Sequence, residues 1–295
     1  MKPAALPALT VAQLEYLVAV DEHRTWAEAA ASLGVTPSAL SQGLAELERR
    51  LGLALFARDG RQRRRTPAGD EVLRYATDVV ARTAELAGWA ERARAGSTGR
   101  VRIGMIDAAA VGHFADDLRR YRDERPDVDL RLQVAPSAEL LEAVSSGSLD
   151  AAVVVEPAAV TGTLALEPLL VEPLRVYAPA DAARVGPSGW GPWVLFPAAS
   201  HTRALVTEAL RRAGAPVDVV AESNQPEVLR AMVQLGLGWT VLPVAQAETG
   251  PDPLVPVRAT PLVQRRLVLA RRHGAPPDPA VDALRHALLR RSSRA

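Results

Sequence analysis

The 295-residue sequence contains no cysteine, which excludes a disulfide framework and any thiolate metal site. Lysine is nearly absent: of 35 basic residues only Lys2 is not arginine, a bias that reflects GC-rich coding and says nothing of function. The formal net charge is only +1, so the chain is not globally basic and any attraction to a polyanion must be local. No apolar run approaches the ~20 residues that span a bilayer. Residues 4–12 are apolar behind Lys2 and imitate an export signal, but Pro7 interrupts them and Gln13 and Glu15 follow at once. A cytoplasmic protein with no membrane partner is expected. The five histidines (His23, His113, His201, His273, His286) lack metal-ligand spacing, and no acidic pair marks a hydrolase. Gly236-Leu237-Gly238 follows a helix pattern rather than a strand, and Gly186-Pro187-Ser188-Gly189 lacks the strand-to-helix setting of a nucleophile elbow. No cofactor, no metal and no enzymatic activity are expected.

What is present is concentrated in residues 10–69. Thr10 is placed to cap a helix carrying Val11, Leu14, Leu17 and Val18. Trp26, Ala29, Ala30 and Leu33 fall at i, i+3, i+4 and i+7 and line one face of a second helix. After a turn at Gly34-Val35, Thr36 and Pro37 supply the cap and first residue of a third helix, whose stripe is Leu40, Leu44, Leu47 and Leu51. Ser38, Ser41 and Gln42 stand off that stripe in its first turns. A helix, a short turn and a second helix with small polar residues at its start is a way of reaching base edges in a DNA major groove. Residues 49–66 then hold Arg49, Arg50, Arg58, Arg61, Arg63, Arg64 and Arg65 against the single acid Asp59. Asp59-Gly60 is a turn dipeptide, so 58–65 is read as a hairpin or wing. A solvated loop is the plain reading of such arginines. Beside a helix-turn-helix, phosphate contact is preferred for Arg58 and Arg61, and the two readings are balanced for Arg63 and Arg64.

The combined spacing Ala29-Ala30, Leu33, Ser38-Ala39-Leu40-Ser41, Leu47-Glu48, Leu51-Gly52, Leu55-Phe56, Arg58, Thr66 and Ala68-Gly69 resembles the N-terminal signature of LysR-type transcriptional regulators. Gly147-Ser148-Leu149-Asp150 before an apolar strand, Gly236-Leu237-Gly238 and Leu242-Pro243 fit the same family more loosely. The chain departs from it at Pro37, Gln42 and Gly43, which bears on the choice of DNA site rather than on DNA binding. The resemblance implies a DNA-binding regulator whose promoter binding is modulated by a small-molecule effector. Its implied partners are duplex promoter DNA, a metabolite, a second copy of itself in a homodimer or homotetramer, and RNA polymerase. The DNA-contacting residues it points to are Thr25, Thr36, Ser38, Ser41, Gln42, Arg49, Arg58, Arg61 and Arg63.

Thr66 and Pro67 open a long helix with Asp70 and Glu71 in its first turn. Val72, Ala76, Val79, Thr83, Leu86 and Ala90 form an a/d seam in it. Helical to Arg94, it is ~40 Å long. Packing on its own effector domain leaves most of that seam exposed, whereas pairing with a second copy covers it. The family resemblance makes it the linker helix of a dimer. The expected organisation is α/β: a winged helix-turn-helix over 1–66, a linker helix over 67–95 and a periplasmic-binding-protein-like effector domain over 96–295. Within the last, strands over 101–105, 128–134 and 151–155 alternate with helices and imply a parallel sheet. A second α/β set follows from 174 onward. Chain crossings near 161–165 and 257–263 give subdomain I as 100–163 with 264–295, and subdomain II as 164–263.

Ligands of open α/β folds sit beyond the carboxyl ends of strands. That places the effector near Ile106, Asp107, Ser137, Ser200, His201, Thr202 and Asn224. Ser137 and Thr202 are equally read as helix caps, Asn224 as a turn or cap residue, and His201 as a solvated loop residue. Family members often carry a small hydroxyl near the position of Asp107, so a carboxylate there predicts an effector with an amino or other donor group. An acidic end would then lie near His201 or Arg203. The alternative is that Asp107 caps the helix after it.

Overall fold

A computed structural model describes residues 8–59, 62–95, 99–159, 162–182, 185–250 and 252–292. The chain divides into two compact units, one of Met1–Arg94 with Ser145–Gly147 and one of Ala95–Val144 with Ser148–Ala295.

The N-terminal unit begins with α1 (Val11–Glu22), α2 (Trp26–Ser32) and α3 (Pro37–Leu51). Each starts on a threonine. The hydroxyls of Thr10, Thr25 and Thr36 accept the backbone N–H of Gln13, Glu28 and Ala39, and Gln13 and Glu28 return the bond to form capping boxes. Gly34 (φ 66°) makes the turn between α2 and α3, and Gly52 (φ 68°) ends α3, both in the left-handed region that glycine enters without strain. Leu14, Leu17, Ala29, Ala30, Leu40, Leu44, Leu47 and Leu55 are buried together, with Trp26 and Leu33 packed against them. The wing is a hairpin of β1 (Phe56–Asp59) and β2 (Gln62–Arg65), paired Phe56 to Arg65 and Arg58 to Arg63. Gly60 and Arg61 at its tip lie outside the described residues.

α4 (Pro67–Ala95) follows as one 29-residue helix. The sequence reading weighed packing on the effector domain against pairing with a second copy, but the first half of α4 packs on the three-helix head. Ala76 is fully buried in the head core, with Val72, Leu73, Val79 and Val80 against it. The seam therefore serves two purposes. Its beginning fastens the helix to the three-helix head, and further along Leu86 and Trp89 are exposed, as is Tyr75 on another face.

The C-terminal unit is built on a six-stranded sheet ordered β4 (Asp129–Val134), β3 (Arg100–Met105), β5 (Ala151–Val155), β10 (Val263–Arg272), β6 (Leu164–Tyr177) and β9 (Thr240–Pro243). β7 (Trp193–Leu195) and β8 (Val219–Glu222) form a separate parallel pair. Around them lie α5 (Ala115–Glu124), α6 (Ser137–Ser145), α7 (His201–Arg212), α8 (Pro226–Gln234), α9 (Val244–Ala247) and α10 (Pro279–Ser292). β3 pairs parallel with β4 and β5 as anticipated, but β10 runs antiparallel between β5 and β6, so the sheet is mixed.

Two cores share the long strands. Leu164, Leu166, Leu169 and Leu170 of β6 and residues 267–270 of β10 belong to the first core. Leu174 and Val176 of β6 and Val263 of β10 belong to the second, with Trp190, Trp193 and Trp239. The hand-over between cores thus lies inside continuous strands, near Pro168 to Pro173, and not in a link near 161–165. Two prolines hide this strand from a propensity reading, because each lacks an N–H for the ladder. The ladder accommodates them with a register shift that leaves buried Leu169 opposite no partner.

Candidate nucleic-acid interface and effector cleft

On α3, Ser38, Gln42, Ala45 and Arg49 recur at helical spacing and are all exposed, opposite the leucines of the core. Thr36 is exposed too, its hydroxyl occupied by the Ala39 N–H at 3.1 Å. Thr25 is likewise engaged by its capping box with Glu28. Ser41 is only half-buried, off that outward stripe. Arg49 is not idle. Its Nε and Nη2 reach Glu46 at 2.6 and 2.5 Å, and Arg50 Nε shares the same carboxylate at 2.6 Å. Hydrogen bonds from Arg49 and then Arg50 hold the Glu46 carboxyl down to about 2. Arg58 and Arg63 face each other as cross-strand neighbours in the wing; their side chains, and all of Arg61, lie outside the described residues. Arg65 is structural: it pairs with Asp21 and, at 2.8 Å, with Asp70.

The wing is seated by Glu48, which the sequence reading named only as part of the family signature. Glu48 Oε1 accepts the N–H groups of Leu55 and Phe56 at 2.7 and 3.1 Å, and Trp26 meets Phe56 edge-on with ring centres 5.2 Å apart. Gly43, one of the departures from the family pattern, also has a reason. A Cβ there would lie 2.5 Å from the Tyr16 ring, so glycine lets α1 close on α3.

In the C-terminal unit, the carboxyl ends of β3 and β5 gather most of the other site. The Ile106 N–H donates to Val153 O at 3.1 Å. Val155 is held from both sides: its N–H donates to Ser137 Oγ at 3.1 Å, and its carbonyl meets His201 Nδ1 at 3.3 Å. Ser137 therefore does not cap α6; it ties that helix to β5. Asp107 is half-buried at the start of an unexpected π-helical turn, Ala108–His113. Its side chain makes no capping bond, so the capping alternative fails, and Oδ2 instead faces Gln246 Nε2 at 3.5 Å. Burial first, and the charge of Glu227 second, push the Asp107 carboxyl up.

Thr202 is no cap either. It is buried, and its Oγ1 accepts Arg265 Nη1 at 2.9 Å. Arg265 Nε meets Glu172 Oε2 at 2.5 Å, and Glu172 Oε1 is bonded to His113 at the end of the π-helical turn. Burial raises the Glu172 carboxyl, but the His113 bond and the Arg265 charge outweigh it and hold it low. Ser200 occupies the cap position of α7 without a side-chain cap bond. Arg203, expected beside an acidic effector group, is committed elsewhere, to Phe196 O at 2.7 Å and Glu222 Oε1 at 3.0 Å. Asn224 is exposed in the loop before α8, where Gln225 rather than Asn224 holds the cap position.

Residues 11–70 match the model of the bacterial regulatory helix-turn-helix protein, lysR family, and residues 94–293 match the LysR substrate binding domain. The chain belongs to the LysR family. It is 32% identical over 289 residues to the HTH-type transcriptional regulator YfeR of Shigella flexneri, covering 92% of this chain and 91% of that one. It is 31% identical over 280 residues to a "probable hydrogen peroxide-inducible genes activator" of Streptomyces viridosporus, covering 90% and 89%. Full-length CbnR complexed with its target DNA shares the fold at a TM-score of 0.59 and 17% identity, over 96% of this chain and 100% of that one. This LysR-family protein is thus a DNA-binding transcriptional regulator with a C-terminal domain for a small-molecule effector. Among the described residues no helix is long and apolar enough to cross a membrane.

Within this LysR-family chain the sequence reading missed His113, Glu172, Arg265, Gln246 and Glu227. The available signal was charge in the wrong place. Glu172 and Arg265 interrupt apolar strand runs, and a charge buried on a strand needs a partner.

Proposed function

We propose that the outward edge of α3, Ser38 to Gln42, enters the major groove and reads bases, and that the wing arginines bind the flanking phosphates. The observation that carries this is the exposed set Ser38, Ala39 and Gln42 on a helix whose other face is committed to the head core. Gln42 has the two-atom donor–acceptor end that matches adenine N6 and N7, and Ala39 suits a thymine methyl. Thr25 and Thr36 hold the two helix starts, from which N–H groups face phosphate. Of the arginines, Arg58, Arg61 and Arg63 are assigned to phosphates. Arg49 reaches one only by releasing Glu46.

Two copies pair through the exposed part of α4, around Leu86 and Trp89, and two such pairs form a tetramer. Their paired heads meet half-sites about one helical turn or a multiple apart. The effector lies at the strand ends near Ile106, Asp107, His201 and Thr202; Ser137 and Ser200 shape its walls, and Asn224 lies at its margin. Effector binding reorients the two halves joined by β6 and β10, which alters DNA geometry and contact with RNA polymerase. The protein acts as a regulator and not as an enzyme. Although one relative is named for peroxide induction, the 295 residues hold no cysteine. A thiol-based peroxide response is therefore closed to this chain, and the effector is held non-covalently.

The test is a titration of labelled duplexes from the region beside its own gene, at several salt concentrations. A preference over scrambled duplex that persists as salt rises, with overall affinity falling steeply, is the expected result. Equal affinity for every duplex would refute base reading.

A further inference from the structure

Resting on the assignment of the C-terminal cleft as the effector site, we propose that the effector is an amino acid or a close chemical relative. Its carboxylate lodges at the first turn of α7 beside Arg265, and its ammonium group sits between Asp107 and Glu227.

The anionic half begins with α7, a 12-residue helix whose cap residue Ser200 supplies no side-chain bond. Its first free N–H groups have no intrahelical acceptor, and the helix dipole adds positive potential there. That alone would describe any helix start. The second feature is Arg265, which is only 3% exposed. Nε is taken by Glu172 and Nη1 by Thr202 in that same first turn of α7, while buried Nη2 has no partner among the described residues. A buried guanidinium donor left idle is unfavourable until an acceptor reaches it. A carboxylate satisfies Nη2 and the helix start together.

The cationic half is an excess of acceptors. Asp107 comes from the end of β3, Glu227 from the first turn of α8 and Gln246 from α9. Among the described residues no ion pair engages Asp107, and its one side-chain bond, from Gln246, is long at 3.5 Å. Gln246 Oε1 is buried without a partner. An ammonium group brings three donors and one positive charge, and it relieves both the mutual repulsion of the carboxylates and the unmet amide oxygen.

The two halves lie at the ends of the same pair of strands. β3 and β5 are adjacent and parallel, with Met105 opposite Val153 and the Ile106 N–H on Val153 O, so the chain that carries Asp107 leaves the sheet beside the end of β5. Val155 O is bonded to His201 at the start of α7. A molecule carrying both an amino group and a carboxylate meets both halves at the ends of these two neighbouring strands.

Calorimetric titration of the full-length protein with the twenty standard L-amino acids, the matching 2-oxo acids and the matching decarboxylated amines tests the proposal. At least one amino acid is expected to bind, and its 2-oxo acid and its amine each about tenfold or more weakly. Asp107→Asn should abolish the preference for the amino acid over its 2-oxo acid while leaving the 2-oxo acid affinity in place. Arg265→Gln should weaken both. Should that variant fail to fold, Asp107→Asn carries the test. The proposal is overturned if no amino acid binds, if a 2-oxo acid or amine binds as tightly as its amino acid, or if Asp107→Asn leaves the preference intact. Tight binding of a carboxylate or amine alone would overturn the amino-acid assignment and leave the effector cleft standing. Failure of every metabolite to alter DNA binding would remove the cleft itself.

Discussion

At the scale of single residues, side chains aimed at partners are separable from those aimed inward. Gln42 touches nothing that the head needs, so Gln42→Ala should leave stability unchanged. It should cost ~1–3 kcal/mol at one base pair and relax the preference there, measured by competition among single-base variants of the site. Asp107 is the opposite kind of residue, half-buried, its carboxyl pushed up first by burial and then by the charge of Glu227, at some expense to the unliganded fold. Its raised carboxyl means that stability falls as pH rises past the ordinary aspartate range. Asp107→Asn should therefore raise the apo melting temperature at neutral pH, by roughly 1–3 °C after allowance for solvent screening. Glu172 behaves with the other sign. Held below its ordinary value, it contributes stability that is complete at neutral pH and is lost as pH falls through the folded value. Glu172→Gln strands Arg265 in the interior and should cost about 3 kcal/mol in denaturant unfolding, a difference that narrows below about pH 4. Asp107 stood out in the sequence as a carboxylate where a hydroxyl is usual. The Glu172–Arg265 pair did not, because its partners are 93 positions apart in the chain and only strand register brings them opposite.

Elements whose beginnings carry local chemistry were the legible ones. Thr10, Thr36 with Pro37, and Thr66 with Pro67 announce α1, α3 and α4 within a few residues of their observed starts. Elements defined by long-range pairing were not: β6 carries Pro168 and Pro173 and is held by β10 rather than by its own propensity. The π-helical turn at Ala108–His113 had no signal, since three alanines suit any helix and the widened turn is fixed by His113 reaching Glu172. Similarly, Glu48 reads as a surface residue until the backbone of residues 55 and 56 is folded against it. One glycine of the signature has a steric role that can be tested. A Cβ at Gly69 would collide with the backbone oxygen of Leu55, where α4 leaves the wing. Gly69→Ala should destabilise the protein by about 1–3 kcal/mol in thermal or denaturant unfolding, with no effect on effector affinity.

For the whole molecule, the division into a DNA-reading unit and an effector unit was visible from the change of pattern near residues 95–99, and the two matched domains lie on either side of it. The proposed assembly rests on α4. Leu86 and Trp89 are 58% and 47% exposed, a cost in water that the proposed pairing with a second copy would remove. The double substitution Leu86→Glu with Trp89→Glu should shift the protein from dimer or larger toward monomer in sedimentation velocity. Operator affinity should fall with it, because two linked heads bind far more tightly than one. The central claim is that paired heads insert the Ser38–Gln42 edge of α3 into successive major grooves. Hydroxyl-radical footprinting of the protein on DNA beside its own gene tests it most directly. Two protected patches about one helical turn or a whole multiple apart are predicted, with Gln42→Ala changing which sequence is protected and not the spacing. A single patch, or protection that ignores sequence in wild type and variant alike, would contradict it.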